Sequence, residues 1–255
     1  MKPFSLLNFL LIASALFFFA CKENKAPEPT CAAPSGKYVN ATVLKNCPAK
    51  MPYDVPNFCY EMTFKGTDSV MMDNGFEQFM LPVVSTGTPC EYKLTKASVD
   101  GDMLFTVSSD STIELVDTAW TKVSTFTTFR KPGGANASWD FKSYLNDCLV
   151  AGKYAWFKDG QLVPGEIELL PSGDITGMKP YVKYALCYAG DCVGMTEPEA
   201  TTIDLIDDKG NMETFAYKKV DGKMSIELYS LGQPANPDEK GGIPVGKMVH
   251  EWRSE

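Results

Sequence analysis

The sequence predicts an all-β protein: two tandem antiparallel barrels or open sandwiches joined by one short helix. Three observations predict it. Short runs alternate apolar and polar residues, as at Met103, Phe105 and Val107 or Met224, Ile226 and Leu228, and a period of two puts each set on one face of a strand. Turn sequences recur between such runs: Lys158-Asp159-Gly160, Ser172-Gly173-Asp174, Asp208-Lys209-Gly210-Asn211, and Asp-Gly at 100–101 and 221–222. Three anchors also repeat in the same order in the two halves. Gly36-Lys37-Tyr38 matches Gly152-Lys153-Tyr154, Val99-Asp100-Gly101 matches Val220-Asp221-Gly222, and Phe129-Arg130 matches Trp252-Arg253. Repetition of this kind marks a duplicated unit.

From the N-terminus, Met1-Lys2 and an apolar run to Phe19 form a secretory signal over residues 1–20, too short and too polar afterwards for a spanning helix. The tetrad Phe18-Phe19-Ala20-Cys21 resembles the lipobox of bacterial lipoproteins, with Phe where Leu is common. The resemblance implies lipidation at Cys21, with the membrane as a partner through the lipid. The charged start Lys22-Glu23-Asn24-Lys25 resembles the export signal of Bacteroidetes surface lipoproteins, which implies an outer-membrane address on the periplasmic or cell-surface face. Residues 21–35 are rich in proline and lack apolar periodicity, as expected of a tether. A first β domain spans 36–131, a linker with the helix 132–148, and a second β domain 149–255. The helix is expected at Trp139 to Asp147, after the Pro132-Gly133-Gly134 break, with Ser138 as its N-cap.

Seven cysteines follow Cys21 in a compartment that permits disulfides, and an odd number leaves at least one over. Cys187 and Cys192 bracket a turn and are expected to pair. Cys47 and Cys59 bracket a proline-rich stretch, and a bridge there would close a short loop, worth roughly 2–3 kcal/mol in the chain-entropy model. Cys31, Cys90 and Cys148 have no partner assigned by spacing. Two CxxC pairs, or added histidines, are what a thiolate metal site needs, and the sequence has neither.

Each half opens on Gly-x-aromatic and closes on aromatic-Arg. That pattern resembles the calycin superfamily, and in particular the lipocalin-like domains of Bacteroidetes lipoproteins, with Tyr where the family has Trp. The resemblance implies two lipocalin-like barrels, each with an arginine laid over the ring of its first strand: Arg130 on Tyr38, and Arg253 on Tyr154 or Trp156. A guanidinium suits such a site because it stacks on rings and bonds backbone carbonyls. Only two of the 24 basic residues are arginine, one at each of these places. Asp191-Cys192-Val193-Gly194-Met195 is similar to a stretch of NlpE-type envelope-stress lipoproteins, which carry a CxxC that this chain lacks.

A net charge of −8 without a basic block argues against nucleic acid as a partner. Catalysis by acid–base or nucleophile chemistry usually recruits histidine, and the chain has one, His250, alternating with Trp252 as a packed residue would. No nucleophile elbow, phosphate loop or zinc-protease motif occurs, and neither a catalytic residue, a metal nor a cofactor is expected. Two functions remain. One is an accessory or partner-binding envelope lipoprotein, its partner a protein of the envelope. The other is a barrel enclosing a small apolar ligand. Bulky inward residues favour the first. Copper or stress sensing of the NlpE type is third.

Overall fold

The computed structural model describes residues 31–47, 49–98, 101–108, 111–117, 125–189, 192, 196–220, 225–233 and 242–254. The signal peptide and Cys21 therefore lie outside the described residues, as does Met224 with the 221–222 turn. The first half is a closed barrel of eight antiparallel strands in chain order: β1 (Gly36–Asn40), β2 (Glu61–Phe64), β3 (Ser69–Asp73), β4 (Gln78–Ser85), β5 (Glu91–Ser98), β6 (Gly101–Ser108), β7 (Thr112–Asp117) and β8 (Thr125–Arg130). The barrel shuts where Val39 and Asn40 of β1 face Arg130 and Phe129 of β8.

The second half is a nine-stranded sheet of β9 (Gly152–Lys158), β10 (Gln161–Leu169), β11 (Ile175–Thr176), β12 (Tyr181–Leu186), β13 (Thr196–Glu197), β14 (Thr201–Asp207), β15 (Met212–Val220), β16 (Ser225–Leu231) and β17 (Ile243–Ser254). First and last strands pair here too, with Trp156 of β9 opposite Trp252 of β17. The short β13 runs parallel to the start of β17. The edges β11 and β12 meet through one bridge, Asp174 to Lys183, and the Tyr184 amide donates to the Gly173 carbonyl at 2.7 Å, so this sheet is nearly closed. Turn chemistry sets its hairpins. Asp159 and Gly160 have φ of 48° and 78°, the mirror-image turn whose twist suits a two-residue hairpin.

Two of the three repeated anchors fall at equivalent places. Gly-Lys-Tyr opens β1 and β9, and aromatic-Arg closes β8 and β17. The third does not. Val99-Asp100-Gly101 joins β5 to β6, whereas Val220-Asp221-Gly222 joins β15 to β16, one hairpin further round when β13 is set aside. A common turn tripeptide carries that match.

Both interiors are filled. In the first barrel Tyr38, Met62, Met72, Leu94, Phe105 and Phe129 are buried with their neighbours in one cluster. Met103, Phe105 and Val107 all point inward, as their alternation predicts. In the second, Tyr154, Trp156, Ile203, Leu205, Leu228 and Trp252 do the same. This second core does not stop at its own sheet. It continues through Val39, Val43, Tyr60 and the linker helix, so the described residues belong to one compact unit.

The linker helix α2 is Phe141–Leu149, two residues later than expected. Asp140, not Ser138, is the N-cap: its carboxylate accepts from the Ser143 amide at 2.8 Å and from the Ser143 hydroxyl at 2.7 Å. A second helix, α1 (Ala41–Asn46), has no counterpart in the sequence expectation. Asn40 caps it by accepting from the Val43 amide at 3.0 Å, while its amide donates to the Cys59 carbonyl at 2.8 Å.

Candidate functional site

Among the described residues three disulfides form, and only one was legible. Cys187–Cys192 is as expected. Cys47 bonds Cys148 instead of Cys59, because α1 carries Cys47 to the junction where α2 presents Cys148. Cys59 is a fully buried thiol. Cys31 bonds Cys90 in the β4–β5 turn.

The arginine expectation fails on geometry. Neighbouring residues of a strand point to opposite faces. Phe129 and Trp252 are fully buried in their barrels, so Arg130 and Arg253, next along the chain, must point out, and both are exposed. The cation over the buried Tyr38 ring is Lys131, its ammonium 5.2 Å from the centroid. Arg253 stacks on the outside of the sheet, 4.1 Å from the Phe157 centroid, and donates two 2.7 Å hydrogen bonds to Glu251. Tyr154 instead neighbours Trp252, 6.3 Å away, and its hydroxyl donates to the Val150 carbonyl at 2.8 Å. Trp156 donates from Nε1 to Nδ1 of His250 at 3.2 Å. That bond leaves the proton of His250 on Nε2. Burial, and then Lys158, lowers its pKa and keeps the ring neutral. His250 is a core residue packed on Trp156 and Phe215.

The junction between the two sheets is aromatic. Tyr60 stacks on Phe141 at 4.7 Å and meets Tyr188 edge-on at 5.2 Å, and its hydroxyl donates to the Tyr188 carbonyl at 3.2 Å. The β3–β4 turn closes over them. A Cβ at Gly75 would stand 2.8 Å from the Tyr188 ring, which is why that turn has glycine. The outer trough beside this cluster holds about 400 Å³ and is lined by Lys37, Glu61, Asp140 and Lys142 among others. Burial opposes the charge of Asp140, but the hydrogen bonds from Ser143 and the nearby Lys37 outweigh it and hold the carboxyl below its usual range.

A cavity of about 610 Å³ lies where β14 begins, beside Tyr217 and Lys218 of β15, Tyr229 of β16 and Val245 of β17. The 3₁₀ turn Pro52–Asp54, ahead of β2, forms one wall. Tyr53 from that turn shares a 3.0 Å hydrogen bond with Thr201 at the start of β14. Tyr217 closes the floor, its hydroxyl 3.7 Å from the Met51 sulfur. Glu199, Lys218 and Tyr229 complete the rim. Burial raises the pKa of Tyr53, and the charges of Asp54 and Glu199 raise it further. The cleft therefore offers ring faces, phenol hydroxyls and a negative field. Those groups bind, but they contain no nucleophile paired with a base. Sequence reading missed the cleft because its wall comes from a proline-rich stretch more than a hundred residues away from Thr201, and spacing carries no sign of that contact.

Among the described residues no group of three or more His, Cys, Asp or Glu is placed to hold a metal ion, and no helix is long and apolar enough to cross a membrane. The chain matches no family model, no curated protein and no solved structure.

Proposed function

We propose that the protein is a lipid-anchored lipoprotein of the outer membrane that works without catalysis, as an accessory module binding a partner of the envelope on its outer surface. One observation carries this reading: buried side chains of both sheets form continuous apolar clusters that fill the two barrel interiors. The small-ligand alternative would require an apolar molecule to displace several of those residues. Interiors this closely packed resist that, because opening a cavity costs the lost contacts as well as the lost burial. The copper-sensing alternative has less support, since Cys187 and Cys192 are joined in a disulfide and present no thiolate pair.

Membrane fractionation tests the anchor. Cys21→Ser should move the protein from the membrane to the soluble fraction, since several acyl chains, at roughly 0.8 kcal/mol per buried CH₂, are what would hold it there. Retention of the variant in the membrane would exclude lipidation at Cys21 as its attachment.

A further inference from the structure

The Cys31–Cys90 disulfide fixes where the N-terminal segment meets the fold. Cys90 is in the turn between β4 and β5, and its carbonyl accepts from the Val107 amide at 2.9 Å near the end of β6. This is the barrel end opposite the aromatic junction, because the β3–β4 turn at the other end of β4 is the one that packs on Tyr60 and Tyr188. Nine residues lie between Cys21 and Cys31, which makes ten chain steps. Fully extended they reach about 35 Å at most.

Beside that pinned end, the outside of the barrel carries an apolar stripe among polar residues such as Asp102, Thr106 and Ser108. On β4, Met80, Pro82 and Val84 follow at every second position and all point outward, Met80 at 53% and Val84 at 44% exposure. The cross-strand row Val84–Lys93–Leu104 carries the surface to β6, where Leu104 is also 44% exposed. Phe76, at the far end of β4, is 71% exposed. The outer face of an antiparallel sheet is ordinarily the polar one. Elsewhere the large exposed apolar residues Leu162, Val182 and Met212 fall on three different strands, and scattered single residues need no explanation. The β4–β6 face is the exception, and it adjoins the point at which the tether is held.

We infer that this face of the first barrel rests on the lipid surface that carries the anchor. The inference builds on the lipoprotein reading above. A lipid at Cys21 keeps the bilayer within about 35 Å of Cys31, a span that covers the whole length of β4, about 26 Å for eight strand residues. Of the surfaces within that reach, the apolar one gains by entering the headgroup region, whereas an acidic surface is repelled by anionic lipid. Lys93 lies within the stripe and Lys96 further along β5. The Lys93 ammonium is paired with Asp102 at 3.0 Å, which leaves its aliphatic stem to lie on the apolar boundary.

The full-length protein, purified from membranes and reconstituted into vesicles of phosphatidylethanolamine and phosphatidylglycerol containing a diazirine phospholipid, provides the test. After photolysis, peptides from 78–85 and 101–108 should carry about tenfold more lipid label than those from 125–130. The variant Met80→Glu/Val84→Glu/Leu104→Glu changes only exposed positions. It should stay with the vesicles through its lipid, melt like the parent and lose that label. Even labelling, or labelling concentrated on another strand, overturns the orientation while leaving the anchor standing. An anchored protein with 78–85 unlabelled overturns it equally and points to a protein covering the stripe. Failure of the parent chain to stay with the vesicles sinks the anchor and the orientation together.

Discussion

At Gly177, just after β11, φ is +81°, and a Cβ built there would lie 2.2 Å from the carbonyl oxygen of Glu166. At Gly160, in the β9–β10 turn, φ is +78° but nothing stands within 4 Å. The two positions separate backbone strain from steric collision. Gly160→Ala should cost only the left-handed conformation, roughly 1 kcal/mol. Gly177→Ala adds a contact with backbone that cannot rotate away, so about 3 kcal/mol or more is expected. Chemical denaturation of both variants checks the difference, and equal losses would mean that β10 shifts freely at Glu166. The same attention to single residues explains the arginines. Phe129 or Trp252 can be inside only if the next residue is outside, so an aromatic-Arg pair on a strand never places both in one core. The sequence-level expectation of a buried guanidinium conflicted with the alternation that predicted the strands.

At the level of elements, α1 and α2 hold the junction together. The Cys47–Cys148 bond links α1 to the linker helix across 101 residues of sequence. A loop that long is worth about 4–5 kcal/mol in the chain-entropy model. Cys47→Ala/Cys148→Ala should therefore lower stability by several kcal/mol in urea, the largest loss coming in the contacts of Tyr60, Phe141 and Tyr188. A drop below about 1 kcal/mol would show that the continuous apolar core suffices. The strands of both sheets were legible because alternation and Asp-Gly turns are local signals. So was the Cys187–Cys192 bond, whose partners lie five residues apart. α1 was hidden by its six residues, which include the β-branched Thr42 and Val43 and leave little room for a helical period. Cys47–Cys148, Cys31–Cys90 and the Tyr53–Thr201 contact are long-range, and nothing within a window of sequence encodes them.

For the molecule as a whole, the packed interiors decide what can be carried. Drug-sized ligands occupy pockets of about 300 Å³ or more. Positions that would line such a pocket in the first barrel hold Met62, Met72, Leu94, Phe105 and Ile113, each at most 1% exposed. Native mass spectrometry of the chain without its lipid should return the apo mass alone. A co-purified apolar molecule would show that one interior opens and would restore the lipocalin-like reading.

The Cys31–Cys90 bond also has a mechanical meaning. β1 is joined to β8 by only two residue pairs, the narrowest contact in the closed barrel, and β1 is the first strand among the described residues. A pull on the N-terminal side would ordinarily unzip such a strand from its end. Here the load passes at Cys31 directly into the β4–β5 turn, so it is borne covalently by the middle of the barrel before any hydrogen bond of β1 is stretched. The strand with the weakest seam is shielded from traction on the tether.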